Sequence, residues 1–337
     1  MSAPGRDPAT NHSLLELRDL TVTYRTEGGA VPAVRGVNLA IEPGDTVGLA
    51  GESGCGKSTI ASAVLRLLPK GTQVGGQVLL DGEDVYAMKP GRLRAVRWTT
   101  AAIVFQGALH SLNPVHRVGS QIEEAILLHT KTGRSAAKAR VGELLEHVGI
   151  PSKRAREYPH QFSGGQRQRV LIALALACEP KLLIADEPTT ALDVMVQAQV
   201  LALLADLQRD HGMAMLFITH DLSVLTYACR RLAVMYAGRI VEDGLSGEVF
   251  VDPQHPYSRA LAQAFPTIGD QASRMNPTGL AGDPPDPTDL PSGCPFHPRC
   301  DRAIDICSTY DVPLMPAGDG RRAACVHVRA FQASGAP

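Results

Sequence analysis

A glycine-rich stretch constrains this chain more than any other part of its sequence. Residues 51–59 read GESGCGKST and match the phosphate-binding pattern G-x-x-x-x-G-K-[ST] at every fixed position. Glycines allow such a loop to bend tightly and to turn its backbone N–H groups toward a polyphosphate. Lys57 adds a cation for the outer phosphates, and the Ser58 hydroxyl can ligate Mg²⁺. The remaining candidate contacts in this phosphate loop are Ser53, Gly54, Cys55, Gly56 and Thr59.

The residues on either side of the phosphate loop predict a strand and a helix. Thr46–Ala50 is a short apolar run typical of a buried strand, and residues 59–68 carry apolar side chains at helical spacing before Pro69. A phosphate bound between them would lie at a helix N-terminus, where the dipole and the free N–H groups favour an anion. The same position beside Lys57 predicts a lowered pKa for the Cys55 thiol.

Composition and charge limit the partners and the cellular compartment that we expect for this chain. The formal net charge of the 337 residues is -1, which gives no global reason to expect nucleic-acid or membrane-surface binding. No apolar run approaches the ~20 residues that span a bilayer. Residues 1–12 are polar and lack the features of a signal peptide, so we expect a disordered N-terminal tail and a cytosolic chain. There the seven cysteines would stay reduced, and a cysteine cluster indicates metal binding before disulfides.

Polar side chains follow three of the apolar runs that we interpret as strands. The runs end in Gln106, in Asp186 and Glu187, and in His220. Folds with parallel strands place catalytic groups at the carboxyl ends of those strands. Asp186 suits a water-bridged Mg²⁺ contact, whereas Glu187 could orient or deprotonate an attacking water. Gln106 and His220 are candidates for contact with a metal-bound water or a γ-phosphate, although each is also compatible with an ordinary strand end.

A second candidate anion site comprises Ser163, Gly164, Gly165 and Gln166. An apolar helix is predicted over residues 167–178, and Ser163 can cap it. The two glycines would leave the N–H groups at the start of this helix open. An ordinary capped helix is the alternative interpretation.

Periodicity elsewhere predicts the rest of the architecture. Residues 14–24 and 31–41 alternate as strands of a small antiparallel sheet, and residues 118–158 predict two or three amphipathic helices. Tyr24 ends the first strand, where an aromatic ring either stacks on adenine or simply covers the sheet edge. The predicted fold class is α/β with an antiparallel β subdomain and a helical insertion, and its core resembles that of the P-loop NTPases (RecA-like).

The ordered set of motifs resembles the ATP-binding cassette (ABC) ATPases. The match extends over residues 14–250, with Phe162 where leucine is common in the family signature. This resemblance implies a head-to-tail dimer that encloses two ATP molecules, each between one phosphate loop and the partner's signature helix. The motifs that occur in family order are the phosphate loop, Gln106, the signature Ser163–Gly164–Gly165–Gln166, Asp186–Glu187, Ala191–Leu192–Asp193 and His220.

The same resemblance implies a role for each candidate site residue. Tyr24 corresponds to the aromatic residue that stacks on adenine, and Gln106 to the lid glutamine that senses the transmembrane partner. Glu187 and His220 correspond to the catalytic carboxylate and the switch histidine, with Gln106 as the third catalytic candidate. The implied Mg²⁺ contacts are Ser58, Gln106 and Asp186.

The C-terminal part of the sequence resembles the extension found in dipeptide and oligopeptide importer ATPases. The motif that carries this resemblance is His255–Pro256–Tyr257, followed by Leu261 and Phe265–Pro266. We therefore expect a tail at 1–12, a nucleotide-binding domain at 13–250 and the extension at 251–337. The helical subdomain is expected over about 107–178.

Four cysteines lie in this small, irregular C-terminal extension, which has few apolar residues for a core. They are Cys294, Cys300, Cys307 and Cys325. The spacing looks like the tetrad that holds a structural [4Fe-4S] cluster in this importer subfamily, and ligation by four thiolates suits such a cluster. Zinc is the alternative, because His297 and His327 are also available as ligands.

The function that the resemblance implies is ATP hydrolysis that energises import of dipeptides or oligopeptides. The implied partners are two membrane-spanning permease subunits, a second related ATPase and an extracytoplasmic peptide-binding protein, with no nucleic acid. The chain would then lie peripherally at the cytoplasmic face of the cell membrane. Two alternatives stay open: a same-subfamily importer of nickel, glutathione or another small solute, and a soluble ABC-type ATPase acting on ribosomes or DNA.

Overall fold

The computed structural model describes residues 13–105, 111–189, 192–264, 280, 282–318 and 320–334. Its strands form a four-stranded sheet and an eight-stranded sheet. The strands are β1 Leu15–Thr26, β2 Gly29–Ile41, β3 Thr46–Ala50, β4 Gln73–Leu80, β5 Glu83–Asp84, β6 Ala101–Val104, β7 Leu182–Asp186, β8 Ala214–Thr219, β9 Arg231–Tyr236, β10 Arg239–Leu245, β11 Met315–Pro316 and β12 Arg322–Ala323.

The α-helices pack around these sheets. In chain order they are α1 Lys57–Val64, α2 Pro90–Thr99, α3 Val118–His129, α4 Arg134–His147, α5 Gly164–Ala175, α6 Val194–His211, α7 Leu222–Ala228, α8 Ser246–Val251, α9 Pro256–Ala264 and α10 Arg329–Ala333. Within the described parts of the chain, no helix is long and apolar enough to cross a bilayer.

Five neighbouring strands of the eight-stranded sheet are parallel, in the order β9-β3-β8-β7-β6. The three inner strands of this parallel part, β3, β8 and β7, are mostly apolar and buried because both faces are covered. Alternate side chains of β7 enter different cores: Leu183 and Ala185 pack with the helices of the insertion, while Leu182 and Ile184 pack toward the smaller sheet. The carboxyl ends of these strands therefore meet along one edge, next to the phosphate loop and Asp186.

The smaller sheet confirms the predicted antiparallel strands. β1 pairs with β2, with Leu15 opposite Ile41, and β4 and β5 complete the order β2-β1-β4-β5. Asp81 and Gly82 both have positive φ, which gives the tight two-residue turn that joins β4 to β5.

The helices of the insertion also lie where their periodicity predicts them. α3 and α4 pack against each other and against α5, and a 3₁₀ turn follows at Ser152–Arg156. Buried positions such as Ile122 and Leu144 form one face of each helix, whereas Leu128 is exposed. This compact unit is inserted between β6 and β7.

Two predicted helices have spans that differ from the structure. α1 begins at Lys57, directly after its N-cap Gly56, and ends at Val64 rather than residue 68, because Arg66 has a left-handed φ of 51° and turns the chain out of the helix. Leu67 is consequently exposed rather than part of the buried face. α5 begins at Gly164 and ends at Ala175 instead of spanning 167–178, and Ser163 is its N-cap, as predicted.

The C-terminal segment is attached to the core more closely than its composition indicates. β12 pairs with β10, with Ala323 opposite Glu242, so the extension adds β11 and β12 to the edge of the large sheet. A small apolar cluster stabilises its irregular part, formed by Cys307, Val312, Val326 and Phe331.

Candidate functional site

The phosphate loop is tightly packed between β2 and β9. Gly51 and Gly56 have φ values of 153° and 107°. A Cβ at Gly51 would lie 2.3 Å from the Met235 carbonyl oxygen, and one at Gly56 would lie 2.2 Å from the Ala33 carbonyl oxygen. Both positions therefore require glycine for space as well as for backbone conformation.

Lys57 lies inside the curve of the loop rather than in solvent. Its side chain is buried, and Nζ donates hydrogen bonds to the carbonyl oxygens of Gly51 and Glu52, each at 2.8 Å. The cation is thus held where phosphate oxygens would meet the loop. Cys55 lies beside it, with Sγ 3.8 Å from Nζ, but burial raises the pKa of this thiol despite the lysine. The expected lowering of the Cys55 pKa is wrong.

Ser58 and Asp186 face each other across the site. The Ser58 hydroxyl donates a hydrogen bond to Oδ1 of Asp186 at 3.1 Å. Asp186 ends β7 and is buried, and this burial raises the pKa of its carboxyl above the ordinary value. A hydroxyl and a carboxylate converging at the end of a phosphate loop match the oxygen ligands that Mg²⁺ prefers. Gln106, the third expected Mg²⁺ contact, lies outside the described residues.

Glu187 and His220 form a pair at the same sheet edge. The Glu187 backbone has a left-handed φ of 47°, and its N–H donates a hydrogen bond to the Ile218 carbonyl. Oε1 of Glu187 lies 3.7 Å from Nδ1 of His220. Its interaction with the Glu187 carboxylate raises the pKa of His220. The sequence indicated each residue separately, but nothing local in it predicted this contact.

Tyr24 approaches the loop from the smaller sheet. Its hydroxyl donates a hydrogen bond to Oγ1 of Thr59 at 3.1 Å, and its ring is only partly buried. The ring is thus beside the phosphate loop, which is compatible with the expected adenine contact.

The Ser163 to Gln166 segment is a reciprocal helix cap. The Gln166 N–H donates to the Ser163 hydroxyl at 3.3 Å, and the Ser163 N–H donates to the Gln166 side chain at 3.1 Å. One helix N–H is therefore occupied rather than open. Ser163 and Gly164 are exposed, while Gly165 is buried so close to Val196 that a Cβ would lie 2.3 Å from that side chain.

Comparison with known proteins identifies the family. Residues 34–190 match the ABC transporter family, and residues 241–307 match the oligopeptide/dipeptide transporter C-terminal region. The chain is 45% identical to the oligopeptide transport ATP-binding protein OppD of Bacillus subtilis, across 91% of this chain and 86% of the relative. This chain is an ABC transporter ATPase of the OppD family. It is also 43% identical to OppD of Salmonella typhimurium, across 94% of this chain and 95% of that protein.

Solved structures agree with this ABC ATPase fold. A dimer of the ATP-binding cassette MJ0796 bound to ADP and phosphate superposes with a TM-score of 0.62 at 28% identity, covering 69% of this chain and 98% of that one. CbiO1 of Clostridium perfringens superposes with a TM-score of 0.61 at 29% identity, covering 71% of this chain and 91% of that one.

One set of contacts in this OppD-family chain has no signal in the sequence. The N–H of Glu52 in the phosphate loop donates to the Tyr257 hydroxyl at 2.8 Å, and the Glu52 carboxylate pairs with Arg299. Tyr257 and Arg299 both belong to the C-terminal segment. Tyr257 belongs to the motif that resembles the importer ATPases, but nothing in the neighbouring sequence predicts its contact with the phosphate loop.

The four cysteines of the OppD-type extension line one cavity of about 20 Å³, together with His297 and His327. All four are free thiols, and burial raises the pKa of Cys294 to about 11. Among the residues that the structure describes, no three cysteine, histidine or acidic side chains are placed to hold a metal ion. The thiols therefore share a cavity without forming a ready metal site, and the expected metal-cluster character of this extension is not supported.

Proposed function

We propose that this chain is the ATP-hydrolysing subunit of an importer for dipeptides or oligopeptides in the cytoplasmic membrane. The observation that carries the proposal is the 45% identity to an oligopeptide transport ATP-binding protein over nearly the whole length of both chains. The match of residues 241–307 to the oligopeptide/dipeptide transporter C-terminal region favours a peptide over nickel, glutathione or another solute. The same evidence favours transport over an action on ribosomes or DNA.

In this proposal the described site residues have complementary roles in ATP hydrolysis. The loop N–H groups and Lys57 bind the phosphates, and Ser58 and Asp186 hold Mg²⁺. When bound, Mg²⁺ offsets the charge of the phosphate oxygens. Glu187 orients the attacking water and accepts its proton, and His220 holds the Glu187 carboxylate in place. Gln106 is proposed to complete the site, and Tyr24 to stack on adenine.

We propose a head-to-tail dimer with a second, related ATPase subunit. The exposed Ser163 and Gly164 of one chain would cover the ATP held by the phosphate loop of the other. Val194 and Met195 are 80% and 71% exposed at the start of α6, which supports burial of this region against a partner. A dimeric cassette with bound ADP and phosphate is the state named for the similar MJ0796 structure.

Two membrane-spanning permease subunits are the proposed partners in the membrane. The structure has an apolar groove of about 380 Å³ between the core and the helical insertion, lined by Leu67, Trp98, Phe105 and Leu171 among others. Phe105 and Leu67 are exposed there, as expected for a surface that a partner covers. An extracytoplasmic peptide-binding protein would deliver the cargo to these permeases.

The function is tested by transport in a reconstituted complex. The chain is assembled in vesicles with its permease, ATPase and peptide-binding partners, and ATP-dependent uptake of labelled tri- and tetrapeptides is measured alongside nickel and glutathione. We expect peptide uptake that requires ATP and is competed by other peptides. Uptake of nickel or glutathione without peptide uptake would replace the cargo proposal, and ATPase activity stimulated only by ribosomes or DNA would replace transport.

We also propose that Cys294, Cys300, Cys307 and Cys325 hold a [4Fe-4S] cluster. What supports this is that four free thiols line one cavity, since thiolate is the ligand such clusters use. A cavity of about 20 Å³ accommodates little more than one water molecule, so these segments must move apart to admit a cluster.

Metal analysis of anaerobically purified protein tests the cluster. We expect about four iron and four sulfide per chain, with visible absorbance that is lost in Cys307→Ser. Cys229→Ser, at another buried cysteine, is the matched control and should keep the absorbance. One zinc per chain without iron would establish the zinc alternative, and the absence of both metals would refute a metal role.

A further inference from the structure

The C-terminal extension is joined to the phosphate loop by a buried ion pair. Nη1 of Arg299 lies 2.8 Å from Oε2 of Glu52, and Nη2 lies 2.9 Å from Oε1, which is the parallel two-bond geometry of the strongest arginine–carboxylate pairs. The Arg299 side chain is only 7% exposed and that of Glu52 is 21% exposed. Solvent screens such a pair much less than it screens a surface salt bridge.

Glu52 is held by its backbone as well as by its side chain. Its N–H donates to the hydroxyl of Tyr257, which is fully buried, and its carbonyl accepts from Nζ of Lys57. The ion pair with Arg299 therefore helps to fix Glu52, and the carbonyl oxygen of Glu52 in turn holds the ammonium group of Lys57. A shift of Glu52 would move both the loop and Lys57.

Arg299 in turn is placed by the cysteine-bearing segment. It ends the 3₁₀ turn His297–Arg299, which lies between Cys294 and Cys300. This turn is fixed by hydrogen bonds from the His297 N–H to the Cys294 carbonyl and from the Cys300 N–H to the His297 carbonyl. Backbone order around the cysteines thus determines where the guanidinium group lies.

An aromatic cluster between these segments makes the connection rigid. Phe296, three residues before Arg299, packs edge-on against Tyr236 and Tyr257, with ring centroids 5.3 Å and 5.4 Å apart. Arg299 also donates to the Tyr236 hydroxyl at 3.3 Å. The cysteine segment, the end of β9 and the phosphate loop consequently form one packed unit.

We propose that Arg299 is a positioning residue for the phosphate loop, through which the folded state of the cysteine segment sets the affinity of the site for ATP. The inference rests on the proposed function of residues 51–59 in ATP binding. An ordered cysteine segment holds Glu52 and Lys57 in the conformation described above. A disordered segment releases Arg299, and the loop loses its side-chain anchor.

The test is ATP affinity, measured by calorimetry on the full chain with Mg²⁺. We expect Arg299→Met and Glu52→Gln each to weaken ATP binding about tenfold, the scale of one charged hydrogen bond that orders the loop. The double variant should be no weaker than either single one, because both remove the same contact. Arg299→Lys, which retains the charge but not the two-bond geometry, should lie between Arg299→Met and the parent chain.

A matched control separates loop positioning from general loss of stability. Arg321 is also a largely buried arginine of the extension, but it pairs with Asp252 instead of the loop. Arg321→Met should therefore retain the parent affinity for ATP, even if it lowers the melting temperature as much as Arg299→Met does. Equal weakening by both arginine variants would overturn the inference, and so would parent-like binding in Arg299→Met and Glu52→Gln. Failure of the parent chain to bind ATP would instead refute the proposed function.

Discussion

Replacing Glu187 by glutamine should lower ATP turnover about 10³-fold and leave ATP affinity nearly unchanged, within the range that a general base contributes. Glutamine has nearly the same shape but cannot accept a proton from the attacking water. The left-handed backbone at Glu187 and the nearby imidazole of His220 hold the side chain in place, so the substitution changes chemistry more than geometry. Turnover is measured as phosphate release in the assembled complex, and affinity by calorimetry.

The control for this result is Glu179→Gln. Glu179 also has a left-handed φ, of 52°, but its side chain is exposed and pairs with Arg140 on the surface. The same chemical change at the same backbone conformation should therefore leave turnover at the parent level. If Glu187→Gln retained the parent turnover, the proton would have to leave through another group, and the role of Glu187 as base would be refuted.

The sequence predicted best those parts of the fold that depend on local pattern. Thr46–Ala50 has the predicted bounds because a short apolar run between turn residues leaves few alternatives to a buried strand. The loop that follows was also recognisable, because its glycines are required by contacts with the backbone of Ala33 and Met235. Such constraints are visible in sequence as a fixed spacing of residue types.

Features that depend on distant parts of the chain could not be predicted in this way. Arg299 and Glu52 are 247 positions apart, and each is an ordinary charged residue in its local context. The predicted direction of the Cys55 pKa shift was wrong. The proximity of Lys57, which lowers the pKa, was visible in the sequence, but the burial of the thiol, which raises it more, was not. Tertiary packing determines both the Arg299–Glu52 contact and the pKa of Cys55.

Gly56→Ala should lower ATP affinity about 100-fold, which corresponds to about 2.8 kcal/mol of binding free energy. The new Cβ would lie 2.2 Å from the Ala33 carbonyl oxygen and 2.8 Å from Cε of Met235. The methionine can move, but the carbonyl is main chain of β2, and the residues on either side of it, Pro32 and Val34, pair with β1. The loop must therefore shift, and the N–H groups at the start of α1 shift with it.

Gly54→Ala is the control that isolates crowding from backbone strain. Gly54 has a φ of 81°, so alanine is strained there as well, yet a Cβ would meet nothing within 4 Å. We expect Gly54→Ala to lose no more than about tenfold in ATP affinity, the share that strain alone contributes. Calorimetry and melting curves on both variants distinguish the two causes. Equal losses would show that backbone strain dominates, and that the close contact between the loop and β2 does not control the phosphate site.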